Sequence, residues 1–437
     1  LRRSSNVILT LVAALLGFAR PLLAEDDSPA RVEELKGQVE GMNETMLEMQ
    51  STLSALAKVK ISGYVQAQFR TGESDGQASF AGGSFPNGVH SQFMVRRGRL
   101  KVNYAAGLTQ YVLQMDVTQN GVGIKDAYAQ ITDPWSKSLS LTAGVFDRPF
   151  GFEISYSSSS RESPERSRMF QTLFPGEREL GAKIEYQPSG SLLNAKAGLF
   201  NGTGPTANEN DNNKDLIGRV GFQLPFYDAN AEIDGGVSFY GGKVRYNSKF
   251  VYAVAGDRWA VDSTSHPVGD YFDRNYLGLD LQSYFNVLPA GGSSVRFEFI
   301  TGRQPSTSSS NSAYSVAFNA ASTPLYRRDV SGWYLNAVQN IGRRNQVVLK
   351  FDVFDPNTSV EGSAIGKAGA NFTPADIAYT TFGAGLVHHW DSNVKFIFYY
   401  DVVSNETVDH ATTTANLVPF KEDLKDNVLT IRMQYRF

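Results

Sequence analysis

The chain contains no cysteine, so neither a disulfide framework nor a thiolate metal site is available. It has five histidines, of which His388 and His389 are adjacent. On a strand such neighbours point to opposite faces and cannot chelate one ion. Charged residues make up 19%, below the usual quarter, and no apolar run reaches the roughly 18 residues of a membrane-crossing helix. Also missing are a glycine-rich phosphate loop, an HExxH helix, a calcium-loop run and a readable Ser-His-carboxylate spacing. No enzyme reading, cofactor or metal site finds support. The net charge of −3 disfavours nucleic acid. A mean hydropathy of −0.27 leaves one kind of membrane protein open, because strands with one apolar and one polar face average to mild polarity.

What is present begins with a charged start, Arg2 and Arg3, an apolar stretch over residues 7–19, and a small-residue site at Ala24. Residues 1–24 read as a secretory signal peptide, with the mature chain expected near Glu25. In residues 25–58, Val32, Leu35, Val39, Met42, Met46, Met49, Leu53 and Leu56 recur at alternating spacings of three and four. This seam predicts a short coiled-coil helix, a stalk for self-association. An amphipathic helix lying on a membrane or on the rest of the protein is the competing reading.

From Val59 to Phe437 the pattern changes to period two. Val59, Ile61, Val65, Ala67 and Phe69 oppose Lys60, Ser62, Tyr64, Gln66, Gln68 and Arg70. Val394, Phe396, Phe398, Tyr400 and Val402 oppose Lys395, Tyr399 and Asp401. The last strand sets Leu429, Ile431, Met433, Tyr435 and Phe437 against Thr430, Arg432, Gln434 and Arg436. Aromatic strand ends and connections of two sizes, short and long, favour a membrane barrel over a soluble sandwich. At about 23 residues per strand and connection, residues 59–437 make a closed antiparallel transmembrane β-barrel of about 16 strands.

One connection is unusual. Between strands at Leu139 and Tyr186, residues 147–179 carry Tyr156, the serines Ser157, Ser158, Ser159 and Ser160, and five arginines: Arg148, Arg161, Arg166, Arg168 and Arg178. A loop well beyond about 12–15 residues is usually functional, and inside a barrel it narrows the lumen. Its arginines face Asp147, Glu153, Glu162, Glu165 and Glu177, so some must pair within the loop. Ser157 and Ser158 could donate to a dehydrating oxyanion, although a serine run is as readily a flexible segment.

Charge is local. The leader carries three arginines and no acid, the stalk eight acids and three bases, so a total of −3 leaves −1 for the barrel. Yet between Asp75 and Asp116 there is no acid, while Arg96, Arg97, Arg99 and Lys101 occur. Arg97, Arg99 and Lys101 share the polar parity, spaced about 7 Å apart, as a ladder able to pass an anion along a wall. Bracing of the loop by the same cations is the competing role. Arg96 sits on the apolar parity, at a rim, an interface or a bulge. Lys243, Arg245 and Lys249 form a second basic group, expected on an outer loop or rim.

The segments around Arg96-Arg97-Gly98-Arg99, Asp147-Arg148-Pro149-Phe150-Gly151 and Phe174-Pro175-Gly176 resemble those of the phosphate-selective porin family, the O and P porins. The resemblance covers essentially the whole barrel. It implies a homotrimer in the outer membrane of a Gram-negative bacterium, with the stalk in the periplasm, passing small anions such as phosphate. By the same resemblance Phe437 is the signal read by the barrel-assembly machinery, and outer-membrane lipid surrounds the wall. Asp147, beside Arg148, departs from a purely cationic site. The expected anion-guiding residues are Arg97, Arg99, Lys101, Arg148, Ser157, Ser158, Arg161, Arg166 and Arg168. A barrel without solute selectivity, tethered by its stalk, is the alternative.

Overall fold

The computed structural model describes residues 29–286, 288–316, 322–408 and 416–437. The expected leader, residues 1–24, and the start near Glu25 lie outside them. The described chain forms two units, divided after Lys58.

The first unit contains helix α1, Pro29–Leu56. The seam residues with described side chains, Val39, Met42, Met46 and Met49, are exposed. Gly37 and Gly41 each weaken a helix by about 1 kcal/mol relative to alanine.

The second unit is a barrel. Its chain runs through β1 (Val59–Gly72), β2 (Ser91–Ala106), β3 (Thr109–Thr118), β4 (Gly121–Thr132) and β5 (Leu139–Asp147). After a short helix, α2 (Arg168–Leu173), come β6 (Arg178–Tyr186), β7 (Leu193–Phe200), β8 (Asp215–Phe226) and β9 (Ala231–Arg245). A hairpin, β10 (Val251–Ala255) and β11 (Arg258–Asp262), interrupts the series. Then follow β12 (Tyr271–Phe285), β13 (Ser293–Ser306), β14 (Leu325–Ile341), β15 (Asn345–Asp355), β16 (Tyr379–His389), β17 (Val394–Asn405) and β18 (Val428–Arg436). Among the described residues, sixteen strands pair antiparallel with their neighbours, β9 passing directly to β12. Pairing of β1 with both β2 and β18 closes the ring.

The expected inversion of a soluble core is observed. Leu139, Leu141, Leu180, Leu279, Leu349, Phe398 and Met433 are exposed on the outer face. Gln66, Gln68, Arg97, Arg296, Lys350, Thr430, Arg432 and Gln434 are buried on the inner one. Apolar residues outside and hydrogen-bonding residues inside suit a wall between lipid and an aqueous lumen.

Connections also sort by end. At one end the turns are short, as in Gly107, at φ 60°, and Gly342, at φ 64°. The other end carries the long ones, except for a two-residue turn between β3 and β4. The β10–β11 hairpin lies in the long connection after β9 and meets β14 through a short parallel pairing. Its Trp259 packs with Phe372, Ile377 and Phe420 in a cluster at the long-loop end. Lys243 and Arg245 fall at the end of β9, where Arg245 donates to the carbonyls of Asn210 and Gly269.

Candidate functional site

Residues 148–177 fold into the barrel and divide it. One part of this loop is apolar. Phe150, Ile154, Met169, Phe170, Leu173 and Phe174 join Tyr240, Tyr276, Ile300, Tyr334 and Phe354 of the wall in one buried cluster. Phe174 lies 4.9 Å from Phe150 and 5.6 Å from Tyr276, ring centre to ring centre. Burying an aromatic ring is worth a few kcal/mol and fixes α2 against the inner wall.

The remainder of the loop is held by hydrogen bonds and charge. Glu298 on β13 accepts from the backbone N–H groups of Phe152 and Glu153 at 2.8 and 2.6 Å, and from the Tyr334 hydroxyl. Gly151, at φ 61°, lies so close to Glu298 that a Cβ would collide with its carboxylate. Arg296 pairs with Glu162 at 2.7 Å, and Lys350 with Glu153 at 2.8 Å. From the closing strands, Gln66 donates to the Ser158 carbonyl, Gln434 to that of Ser159, Lys395 to that of Arg161 and Arg432 to that of Pro164.

Two β-bulges complete the attachment. The register of β1 with β2 shifts between Gln66 and Ala67, leaving Arg96 as the extra residue. The register of β3 with β4 shifts between Gln114 and Met115, leaving Lys125. A bulge re-aims a side chain, and each here brings a basic residue to a loop carboxylate. Arg96 reaches Glu165 at 2.9 Å, and Lys125 pairs with Glu177. Glu165 also receives Arg97 and Arg432, both at 2.7 Å. Burial pushes the Glu165 carboxyl up, but Arg96, Arg97 and Arg432 overcome it and hold it well below the ordinary range. Glu177 is held low in the same way by Arg166 and Lys125 against burial.

The ladder residues therefore have different fates. Arg97 is spent on Glu165 and Gln66. Arg99 bonds Asp116 at 3.2 Å and the Ser158 hydroxyl at 2.9 Å. Lys101 has no ion pair among the described residues and lines a cavity of about 690 Å³ at the short-turn end. That chamber presents Lys60, Arg99, Lys101, Arg166, Arg178 and Arg436 against Asp126.

The other expected residues are placed as follows. Arg148 is buried, with Glu179 at 3.1 Å and the Arg178 carbonyl at 2.9 Å. Arg166 pairs with Glu177 and donates to the carbonyls of Glu153, Ile154 and Tyr156. For Arg97, Arg148 and Arg166 the contacts are those of bracing, the competing role. Ser158 is buried between Tyr64 and Arg99, whereas Ser157 is exposed and bonds Ser159. Arg168 stacks over Phe80 and Tyr379 toward the long-loop end. Arg161 is 3% exposed, and none of its three guanidinium nitrogens has a hydrogen-bond partner among the described residues. Burial, with Arg166 and Arg97 nearby, pulls its pKa below the usual guanidinium value. It remains charged at neutral pH, since guanidinium does not titrate in proteins.

Sequence reasoning left out Lys125 and left Arg96 without a role. A signal for both was present. Outward residues Phe93 and Val95 have odd numbers, while Leu100, Val102 and Tyr104 have even ones. In β4 the phase likewise jumps between Ile124 and Ala127.

The family model described as phosphate-selective porin O and P matches residues 65–235. Among solved structures, the anion-selective porin from Comamonas acidovorans superposes with a TM-score of 0.52 at 14% identity, covering 87% of this chain and 99% of that one. Pseudomonas putida OprB gives 0.59 at 8% identity, covering 89% and 96%. The outer membrane channel DcaP of Acinetobacter baumannii gives 0.52 at 13% identity, covering 87% and 97%. At these identities the likeness is one of fold. No curated protein sequence matches the chain.

Proposed function

Because the chain belongs, through residues 65–235, to the phosphate-selective porin O and P family, we propose that its outer-membrane channel passes small anions, phosphate or other oxyanions included, down their own gradient. The observation that carries this reading is the basic chamber below the loop, where Lys101 has no carboxylate partner among the described residues. Arg99 pairs with Asp116 at 3.2 Å. Arg161 adds buried charge from within the loop. Low-dielectric walls let near charge outweigh the barrel's net total, because charges beyond about 8 Å are largely screened at physiological salt. A transported solute must also leave, so binding is expected to be weak, of order millimolar or about −4 kcal/mol.

The test is the reversal potential of single channels in asymmetric potassium chloride. Anion preference is expected for the wild type, shifting toward cations in Lys101→Gln and Arg161→Gln. Cation selectivity in the wild type would overturn the reading.

The exposed row Val39, Met42, Met46 and Met49 supports a second element of the proposal, a homotrimer with α1 paired in a periplasmic coiled coil. Loss of oligomer stability on changing Val39 and Met46 to glutamate is the corresponding test. Phe437 is proposed to guide the barrel-assembly machinery, so its removal should lower membrane yield more than conductance.

A further inference from the structure

Above the loop, toward the long-loop end, lies a smaller chamber of about 50 Å³ with lining of both signs. Several of its charged groups already have partners. Glu165 holds three guanidiniums, Arg166 pairs with Glu177, and Lys350 with Glu153. Asp352, Asp401 and Asp426 also line it without an ion pair among the described residues, although Asp352 Oδ2 accepts from the Arg168 backbone N–H at 2.8 Å. Asp352 and Asp426 are 6% and 8% exposed, and the Oδ1 atom of each has no hydrogen-bond partner among the described residues. Asp401 has no ion pair among the described residues. On the positive side stands Arg168, whose Nε also has no partner among the described residues.

An uncharged group points the same way. Tyr399 lines the chamber at 2% exposure, with its hydroxyl unpartnered among the described residues. Its ring lies against Gly383 and Gly385, where any side chain would collide with it. Buried carboxylates and a hydroxyl without partners are costly unless something donates to them. A primary ammonium brings three donors and no acceptor, the complement of such a wall. The volume suits a few water-sized groups, given about 10–15 Å³ for each.

We propose that this chamber binds the ammonium group of a small zwitterion of amino-acid size. Asp352, Asp401 and Asp426 accept from the ammonium beside Tyr399, and Arg168 takes the acidic end. The inference rests on the channel reading and goes beyond it. The upper chamber offers carboxylates without ion pairs and the lower one an ammonium without one, among the described residues, so a zwitterion meets a partner for each end along the path.

The full-length channel in planar bilayers tests this, with glycine, methylammonium and acetate added in turn to the long-loop side. Glycine and methylammonium should lower the chloride current, and acetate should not. Replacing all three aspartates by asparagine should raise the concentration needed about tenfold, the size of losing a hydrogen bond to a charged group. Should that variant fail to insert, Asp401→Asn and Tyr399→Phe singly should each weaken the block about threefold. Equal block by acetate and glycine, or block unchanged by every substitution, overturns the proposal. The reversal potential of the same channels reads anion preference separately. Cation selectivity with an aspartate-dependent glycine block would remove the anion reading and leave this one standing.

Discussion

Residues 168–174 and residues 153–166 belong to one loop and rest against one inner wall, yet they are fixed by different forces. The former sink Met169, Phe170, Leu173 and Phe174 into an aromatic cluster. The latter bury little apolar surface of their own and depend on Glu153, Glu162 and Glu165, each gripped by cations from the wall. Apolar packing is short-ranged and indifferent to pH. Ion pairs fix position but depend on every partner being present, since a buried charge that loses its mate is severely penalised. The division also says where selectivity can vary: the packed side sets the loop's depth, and the charged side faces both chambers.

The largest effect should come from Glu165→Ala, which strands Arg96, Arg97 and Arg432 together. Breaking a buried pair typically costs about 3–5 kcal/mol. A lower temperature of barrel unfolding and noisy, enlarged unitary currents would register it. Unchanged currents would show that the aromatic side holds the whole loop.

Phe174→Ala should come next, at about 3–5 kcal/mol from lost burial and a cavity, with less current noise because the ionic grips remain. Thermal unfolding at two salt concentrations should show the same loss in both.

Acid sharpens the comparison further. Glu165 and Glu177 titrate well below their ordinary range. A depressed carboxylate contributes its full stabilisation above the unfolded value of about 4.3 and loses it only as pH falls through the lower folded value. Currents should therefore hold from pH 8 to about pH 5, and opening of the ionic side should appear only in stronger acid. Conductance against pH would show this, and Phe174→Ala should not move the transition.

Lys101→Gln should leave stability within about 0.5 kcal/mol, as expected for a residue with no partner to strand. Its effect belongs to ion selectivity. Ser157→Ala should do least. The side chain is exposed and bonds only Ser159, so both conductance and stability should be close to wild type.

The same contrast explains what could be read from the amino-acid order. Period-two alternation at Leu139–Asp147 or Val428–Arg436 is a local consequence of strand geometry, so about sixteen strands and the inward parity of Arg432 and Gln434 were readable. A long loop punctuated by Pro149, Gly151, Pro164 and Pro175 was also visible, close to its observed limits of 148 and 177. Partner choice was not. Glu165 meets Arg432 across 267 positions, and nothing local in either segment specifies the other. Guiding and bracing both stayed open for Arg97, because the acid that pairs with it comes from a distant loop. A bulge was one of three readings open for Arg96, whereas the one at Lys125 was hidden by treating its strand as one unbroken alternation, although both leave a phase jump.

Glu165 has one more consequence, for the order of assembly. The strands β1 and β18 come from opposite ends of the barrel sequence, and Phe437 exchanges backbone hydrogen bonds with Gly63 where they meet. Hairpins along the wall can form early, because their contacts are close in sequence, whereas the final pairing must wait for the whole chain. Glu165 grips Arg96 and Arg97 on β2 and Arg432 on β18, the two neighbours of β1. Glu165 therefore ties together the two strands that flank β1, and its contact with Arg432 is one that only the complete chain can make.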